Sequence, residues 1–326
     1  MKVAITGVAG FIGANLAERL LARGDEVHGI DDLSHGHLEN MESFREDRRF
    51  RFTQASILDA TAMAAVAEGA EALVHLAAGK IPRYGDALET LLTNGEGGLG
   101  VLRACHERHV RRMVLASTSD CYGRNPEVPY SEESVSVIGA PHVRRWSYAI
   151  SKMFEEQALF AFRERYGLQG VALRLFGSYG PRQNLTWWGG PQSVFIGAAL
   201  RGQEMEIHGT GRQTRSFTYV DDTVEGFVRA LDVPAADGEL LNIGNNREIA
   251  IEDLAVMIWR MIRADEPKLR RVPLSAFGRY EDVERRVPDN RRGAQVLGFK
   301  PSVPLEEGLP RTIAWQRTAL ERAGEL

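Results

Sequence analysis

The sequence predicts an α/β protein built on a doubly wound parallel sheet, and three observations lead to this prediction. In the first half of the chain, short runs of β-branched residues alternate with longer stretches of helical period. Two of the strand candidates, ALVHLAA and MVLAS, are almost continuously apolar, as strands covered on both faces of a parallel sheet are. A glycine-rich turn directly follows the first strand candidate and opens the first helix candidate.

The elements follow one another in a regular order. Strand candidates are Lys2–Thr6, Glu26–Ile30, Arg49–Gln54, Ala72–Leu76, Arg112–Ser117 and Gly170–Leu175. Helical periodicity predicts Phe11–Arg23, Thr61–Glu68, Asn94–Arg108, Trp146–Tyr166, Ser193–Leu200 and Ile251–Arg263, whereas Arg279–Pro304 has no regular pattern. We therefore predict a nucleotide-binding domain over residues 1–176, to which the chain returns around 214–245, and a smaller α/β substrate domain over 177–326.

Composition and charge exclude several classes of protein. The 326 residues are 44% hydrophobic and 26% charged, which excludes a disordered chain, a coiled coil and a small disulfide-rich protein. The net charge of −4 gives no electrostatic reason to expect nucleic acid or an anionic membrane as a partner. Two cysteines, Cys105 and Cys121, and scattered histidines predict neither a disulfide framework nor a metal site. Without a signal-peptide pattern or an apolar run of about 18 residues, we expect a cytoplasmic protein that does not enter the membrane.

Three glycines predict a binding site for a dinucleotide. Gly7, Gly10 and Gly13 lie between the first strand and the first helix. Such glycines provide a tight turn, close approach of the backbone to a pyrophosphate, and close packing of helix on strand. Asp31 follows Gly13 by 18 residues and ends the second strand, where an acidic side chain binds a ribose 2′-hydroxyl and repels a 2′-phosphate. The pattern therefore predicts a Rossmann-type domain that binds NAD rather than NADP.

Tyr148 and Lys152 form the candidate catalytic pair. They are four residues apart on a predicted helix, so they share one face and lie one turn from each other. An ammonium group beside a phenol lowers a pKa that is ordinarily about 10, so that the phenolate can take a proton from a substrate hydroxyl. Thr118, at the end of a buried strand, can hydrogen-bond the same hydroxyl and fix its position.

The glycines have the spacing G-x-x-G-x-x-G, within TGVAGFIG, and further motifs follow them. These are DDLSHG (31–36), HLAA (75–78), Asn94, STSDCYG (117–123), YAISK (148–152), YGPRQ (179–183) and TRSFTYVDD (214–222). In these motifs the sequence resembles the extended short-chain dehydrogenase/reductases that modify nucleotide sugars, over nearly the whole chain. The resemblance implies an NAD-dependent enzyme that oxidises the sugar C4 hydroxyl and whose second domain mainly binds the nucleotide sugar, most often a UDP-sugar. It also implies a homodimer formed by the helices over 94–108 and 146–166.

The resemblance assigns further residues to the cofactor. It implies that Asp31 and Asp32 hold the adenosine ribose and that Ser56 and Ile57 border the adenine, although the family usually has aspartate at position 56. The other contacts implied for NAD belong to the glycine turn and to the ends of the following strands and helices: Gly7, Gly10, Phe11, Ile12, Gly13, Leu76, Ala77, Ala78, Asn94, Ser117, Tyr148 and Lys152.

The segment around Asp120 bears on the reaction. Simple 4-epimerases of the family need no carboxylate at this position, whereas 4,6-dehydratases and sugar-acid decarboxylases carry glutamate. STSDCYG, followed after an insertion by Arg145-Trp146-Ser147-Tyr148, resembles the UDP-glucuronate decarboxylases in particular. YEDVERRVPD (280–289) is similar to their D-V-x-x-R-x-P segment, whose arginine faces the sugar carboxylate and falls on Arg286.

The resemblance also implies a substrate site in the second half of the chain. Arg215 matches an arginine that binds the diphosphate, where a bidentate guanidinium suits phosphate oxygens, and Arg279 is a second candidate. Gly177 stands in the substrate site where the family has asparagine, and Trp187 and Trp188 have no counterpart in the family.

Decarboxylation of UDP-glucuronate is the reaction implied first. Oxidation of C4 of the glucuronate gives a β-keto acid, which loses CO₂ because the ketone stabilises the resulting enolate. A nucleotide-sugar 4-epimerase, acting on UDP-glucose or UDP-glucuronate, and an NDP-hexose 4,6-dehydratase remain open alternatives. A non-catalytic NAD-binding scaffold is the alternative from a different class, and the presence of both Tyr148 and Lys152 argues against it.

Overall fold

The computed structural model describes residues 1–80, 86–277 and 281–326. Its strands are β1 Lys2–Thr6, β2 Glu26–Asp31, β3 Phe50–Gln54, β4 Ala72–His75, β5 Arg112–Thr118, β6 Gln169–Leu175, β7 Ser178–Tyr179, β8 Met205–His208, β9 Thr214–Ser216, β10 Thr218–Tyr219, β11 Leu240–Ile243, β12 Glu248–Ala250, β13 Leu269–Val272 and β14 Arg285–Arg286. Its helices are α1 Phe11–Arg23, α2 Ala60–Ala67, α3 Ala87–Glu107, α4 Trp146–Tyr166, α5 Pro191–Arg201, α6 Val220–Asp232, α7 Ile251–Ile262, α8 Arg291–Leu297 and α9 Leu305–Arg322.

One parallel sheet carries the first half of the chain. Its strand order is β11–β6–β5–β4–β1–β2–β3, and every neighbouring pair runs parallel. The order reverses between β1 and β4, where the carboxyl ends of the strands leave a crevice of the kind in which α/β sheets bind ligands. β11 comes from the later part of the chain and joins the edge of the sheet beside β6. The predicted fold class, a Rossmann-type doubly wound sheet, is confirmed.

Two layers of helices cover the two faces of this sheet. Along β1, Val3 and Ile5 pack into the core shared with α1 and α6, whereas Ala4 packs into the core shared with α2, α3 and α4. Successive side chains of a strand point to opposite faces, so both faces of a covered strand must be apolar. This arrangement explains the continuous apolar runs in the sequence.

A smaller α/β part lies across the carboxyl ends of the sheet. It contains α5, α7 and α9, which pack on one another, and three short sheets, β12–β9–β14, β13–β8 and β10–β7. β14 runs parallel to β9, and the register sets Arg286 beside Arg215. Among the described helices, none is both long enough and apolar enough to cross a membrane.

Helices α6 and α9 lie where the sequence analysis predicts no helix, and two further regions also differ from the prediction. α3 begins at Ala87, seven residues before the predicted start, because the Asp86 carboxylate caps it and accepts the Leu88 amide proton at 2.7 Å. The stretch 279–304, which has no regular sequence pattern, contains β14 and α8 among its described residues. Both elements are short and are held by tertiary contacts rather than by local periodicity.

Candidate active site

A cavity of about 780 Å³ opens where the parallel strands end. Its first wall comes from residues that end or directly follow β1, β2, β4, β5 and β6, and its second wall comes from the smaller part of the chain. Residues of the first wall include Gly7, Asp31, Leu76, Thr118 and Leu175; those of the second include Trp187, His208, Arg215, Phe217 and Arg286. The fold therefore brings the two halves of the predicted site together in one crevice.

The glycine turn allows a close approach that larger residues would block. Gly7 has φ +72°, and a Cβ there would lie 2.8 Å from the Ala77 amide nitrogen. A Cβ on Gly13 would lie 2.1 Å from the Gly7 carbonyl oxygen, so the first turn of α1 sits directly on the loop. Gly10 is the N-cap of α1, so the free amide groups of the helix start point toward the cavity. Phe11 and Ile12 of this turn also line the cavity.

Asp31 is held in place by backbone amides. Its carboxylate accepts hydrogen bonds from Ala9 at 3.0 Å and Leu33 at 2.9 Å, and a Cβ on Gly36 would lie 2.8 Å from its Oδ1. Burial raises the pKa of Asp31, and these amide bonds oppose the increase. Each oxygen retains accepting capacity for a hydroxyl donor such as a ribose. Asp32, also on the cavity, is exposed and accepts hydrogen bonds from Ser34.

The remaining predicted cofactor residues fall into two groups. Ile57, Leu76, Ala77, Ala78 and Ser117 line the cavity. The other group, Ser56 and Asn94, hydrogen-bonds the protein backbone. The Ser56 hydroxyl accepts a hydrogen bond from the Leu58 amide at 3.2 Å. Asn94 is fully buried. Its side-chain amide accepts a hydrogen bond from the Gly79 amide at 2.8 Å and donates to the Gly79 carbonyl at 3.0 Å and to the Ser151 hydroxyl at 2.9 Å. Asn94 therefore fixes the loop after β4 to α4.

Tyr148 and Thr118 meet on the cavity wall. Both line the cavity, and the Thr118 side chain is near enough to the Tyr148 phenol to influence its pKa. Burial raises the pKa of Tyr148, and the charges of Asp120 and Glu155 raise it further, whereas the interaction with Thr118 lowers it. This differs from the expectation that Lys152 lowers the pKa of this phenol.

Lys152 explains the difference. It is one turn from Tyr148 and 1% exposed, and its ammonium donates to the Glu155 carboxylate at 2.6 Å. The negative charge of Glu155 offsets the positive charge that would otherwise favour a phenolate. Glu155 was not among the residues identified from the sequence, although an acid three residues after a lysine on a helix is a readable ion-pair spacing.

Asp120 lies between two arginines. Its Oδ1 accepts hydrogen bonds from Arg286 and, at 3.2 Å, from Arg145. Burial acts to raise the pKa of Asp120, but the charges of Arg286, Arg145 and Arg215 outweigh it and hold the pKa below its usual value. Asp120 is therefore an ionised carboxylate. The sequence drew attention to Arg145 only as part of the Arg-Trp motif just before Tyr148, and its contact with Asp120 was not predicted.

Arg215 and Arg286 line the cavity together. Arg215 donates to the carbonyl groups of Thr214 and Val283 at 2.8 and 2.7 Å and to the Asp282 carboxylate at 3.0 Å. These bonds fix the guanidinium on the wall opposite the nucleotide-binding turn. The other predicted substrate arginine, Arg279, lies outside the described residues.

Gly177 lines the cavity where the family has asparagine. It has φ +46°, and a Cβ there would lie 2.2 Å from the Ser216 carbonyl oxygen, so an asparagine does not fit this backbone.

The loop before α5 closes the cavity on its far side. Trp187 stacks on His208 with ring centroids 4.1 Å apart, and Trp188 stacks on His35 at 4.0 Å. The second stack joins this loop to the loop that follows β2, across the nucleotide-binding side of the cavity.

Comparisons with known proteins agree on the family. The family model for GDP-mannose 4,6 dehydratase matches residues 4–312. The UDP-N-acetyl-alpha-D-glucosaminuronate decarboxylase of Bacillus cytotoxicus is 35% identical over 320 residues, which cover 96% of this chain and 97% of that protein. The UDP-glucose 4-epimerase of Mycolicibacterium smegmatis is also 35% identical, with 97% and 99% covered. The crystal structure of UDP-glucuronic acid 4-epimerase from Bacillus cereus, with UDP-glucuronic acid and NAD, is 26% identical and matches with a TM-score of 0.88 over 98% and 100% of the two chains.

Proposed function

Because this chain belongs to the family of the GDP-mannose 4,6-dehydratase model, we propose that it decarboxylates a UDP-linked uronic acid of the glucuronate type. Its relatives act on nucleotide sugars, and the structural neighbour binds NAD together with a UDP-uronate. The chain is an NAD-dependent enzyme that modifies nucleotide sugars. The choice of a uronate and of decarboxylation rests on the charges in the cavity.

The arginines beside Tyr148 are the observation that carries the proposal. Arg145, Arg215 and Arg286 line the cavity there together with two carboxylates, Asp120 and Asp282. The cluster is largely shielded from water, where a hydrogen bond between charged groups is stronger than at the surface. A sugar carboxylate can accept such hydrogen bonds from these guanidinium groups, whereas the neutral C6 hydroxyl of a hexose carries no charge to pair with them.

The residues around the glycine turn fit NAD. Side chains at Gly7 or Gly13 would fill the space against the backbone, and the Asp31 carboxylate is fixed with capacity for ribose hydroxyls. NAD⁺, when bound, supplies the hydride acceptor for the sugar. We assign residues 1–176, with the return around 214–245, to the cofactor and residues 177–326 mainly to the nucleotide sugar, whose diphosphate we assign to Arg215.

Proton transfer at C4 falls to Tyr148. Thr118 lines the cavity beside it, so a sugar hydroxyl in this position would lie between a base and a positioning group. Once C4 is a ketone, the bond between C5 and C6 breaks, CO₂ leaves, and the electron pair is held on the C4 oxygen as an enolate. Tyr148, which then carries the proton, and Thr118 can stabilise that oxygen by hydrogen bonds until C5 is protonated.

Exposed apolar side chains support a homodimer. Leu88, Leu91 and Leu92 on α3 and Ile150 and Phe154 on α4 are each at least 40% exposed, and the two helices pack side by side. A second copy that contributes the same two helices would bury this face.

The two cysteines support a reducing compartment. Cys105 and Cys121 are both free and both buried. Disulfides are rare in cytosolic proteins because the thiol pool of the cytosol keeps cysteines reduced. These free thiols support the cytoplasm as the proposed location.

Mass analysis of the products tests the reaction. We expect incubation with NAD and UDP-glucuronate, or with its 2-N-acetyl analogue, to give a UDP-sugar lighter by one CO₂. Tyr148→Phe should abolish turnover, whereas Tyr166→Phe, at the exposed end of the same helix, should not. An isomer of unchanged mass would replace decarboxylation by 4-epimerisation, and loss of water from a hexose substrate would replace it by 4,6-dehydration.

A pair of adjacent arginines tests the uronate assignment. Arg286→Gln should raise the KM for the uronate at least about tenfold, because one charged hydrogen bond contributes about 1.5–3 kcal/mol. Arg285→Gln is the matched control, since Arg285 points away and pairs with Glu248. Equal KM values in both variants would remove Arg286 from the substrate site.

A further inference from the structure

A buried row of polar side chains lies behind the catalytic pair. The Lys152 ammonium is 2.6 Å from Oε2 of Glu155, and the same oxygen is 3.7 Å from Nε2 of His75. His75 Nδ1 lies 2.7 Å from Oγ1 of Thr6. Each of these side chains is buried, with Lys152 and Glu155 1% and 2% exposed. The row links α4 to β4 and β1.

The hydrogen bonds of Thr6 determine the charge on His75. Thr6 Oγ1 accepts the amide protons of Leu76 and Ala77, both at 3.1 Å, so its lone pairs are used and its own proton goes to His75 Nδ1. His75 Nδ1 is therefore an acceptor, and the ring is neutral with its proton on Nε2. Burial and the charge of Lys152 also hold the pKa of His75 well below its usual value. Glu155 is therefore the group that balances Lys152.

The fold makes room for Glu155 in particular. A Cβ on Gly98 of α3 would lie 2.9 Å from Cγ of Glu155, so the glycine is required for this side chain to reach its position. Oε1 of Glu155 is buried and has no hydrogen-bond partner among the described residues, which makes the ionised form costly. Burial accordingly raises the pKa of Glu155 to about 7, while Lys152 acts to lower it.

We propose that Glu155 is a positioning residue: as the counterion of Lys152 it cancels the ammonium charge at Tyr148 and so governs the pH at which Tyr148 accepts a proton. The titratable groups described near Glu155 are Lys152 and Glu156 from α4 and His75 from β4, and α3 contacts it through Gly98. The inference rests on the proposed role of Tyr148 as the base. It is independent of which sugar is the substrate.

The test compares pH profiles of variants that keep or remove this charge. Glu155→Gln removes the negative charge, so the midpoint of the acid limb of kcat/KM should fall by about one pH unit or more. Glu155→Met makes the same test with an apolar side chain, in case the amide variant does not fold. Glu155→Asp keeps the charge and should leave the midpoint closer to that of the unmodified enzyme. Glu164→Gln, an exposed glutamate of the same helix, is the matched control and should not shift it.

A spectroscopic titration provides a readout that does not depend on turnover. The tyrosinate absorbance of the NAD-loaded enzyme, minus that of Tyr148→Phe, follows the ionisation of Tyr148 alone. Its midpoint should fall in Glu155→Gln by the same amount as the kinetic midpoint. An unchanged or higher midpoint in a folded Glu155→Gln variant would overturn the inference. Full activity of Tyr148→Phe would instead overturn the role of Tyr148 as the base.

Discussion

Replacing Gly13 by alanine should damage both the stability of the protein and its hold on NAD. The added Cβ would lie 2.1 Å from the Gly7 carbonyl oxygen and 2.8 Å from Cα of Val8. An ordinary carbon–oxygen contact is about 3.3 Å, so α1 or the turn must move by about 1 Å. Both obstacles are backbone atoms, so no side chain can rotate away to relieve the clash.

The magnitude follows from two opposing effects. Overpacking of a dense interior costs about 1–3 kcal/mol, and a clash with backbone belongs at the upper end. Alanine gains about 1 kcal/mol over glycine inside a helix. We therefore expect Gly13→Ala to lower the free energy of unfolding by about 2 kcal/mol. The displaced turn should also reduce the amount of NAD bound.

Alanine substitutions at two other glycines provide comparisons for Gly13→Ala. Among the residues that the structure describes, a Cβ on Gly10 would meet only the Gly7 carbonyl oxygen, at 3.1 Å, so Gly10→Ala should cost less, about 1 kcal/mol. A Cβ on Gly100, within α3, would meet nothing closer than the Ile57 carbonyl oxygen at 3.6 Å. Gly100→Ala should therefore stabilise the protein by about 0.5–1 kcal/mol.

Urea unfolding and NAD content measure the series. The unfolding midpoint should rise for Gly100→Ala, fall modestly for Gly10→Ala and fall most for Gly13→Ala. NAD released by denaturing the purified proteins should decrease in the last two. A Gly13→Ala protein that unfolds at the same urea concentration as the unmodified protein and carries as much NAD would refute the close packing described for this turn.

Three further predictions concern other parts of the molecule. Glu156→Gln leaves Arg174 without its buried bidentate partner, now at 2.8 and 2.7 Å, and should lower the free energy of unfolding by about 3–5 kcal/mol in urea titrations. Burial raises the pKa of both cysteine thiols to about 12, so neither should react with a thiol reagent at pH 8 until urea unfolds the chain, when two thiols per chain should appear. Trp188→Ala removes the stack on His35 and should increase the rate at which bound NAD dissociates, as measured by fluorescence after dilution into an NAD scavenger. An unchanged rate would show that this stack does not retain the cofactor.

Local sequence patterns are sufficient where an element is defined by its own residues. The predicted bounds of Lys2–Thr6, Phe11–Arg23 and Trp146–Tyr166 agree with the structure, because the apolar period and the flanking glycines mark them.

The glycines inside α3 show where local patterns mislead. Gly97 and Gly98 argue against a helix by propensity, yet a Cβ on either would lie within 3.0 Å of Ile57 or Glu155, so they are required for packing. Packing of this kind cannot be inferred from local propensity.

In the candidate site too, some features follow from local sequence and others depend on tertiary contacts. The glycine turn, Asp31, Tyr148 and Thr118 follow from spacing, since each occupies a fixed place in a strand–turn–helix unit. The contact between Asp120 and Arg286 spans 166 residues and depends on the register of β14 against β9. That register is set by pairing between short strands that have no sequence pattern of their own.

The two carboxylates that raise the pKa of Tyr148 are not equivalent. Asp120 is held ionised by arginines, so it imposes a constant negative charge on the substrate side of the phenol. Glu155, whose pKa is raised to about 7, changes charge within the working range on the other side. As the pH falls, Glu155 takes up a proton and no longer offsets the positive charge of Lys152, which favours the phenolate. The pair therefore counteracts, in part, the loss of base that a falling pH would otherwise cause, and a charged residue that looks unfavourable beside the catalytic lysine widens the pH range in which Tyr148 can work.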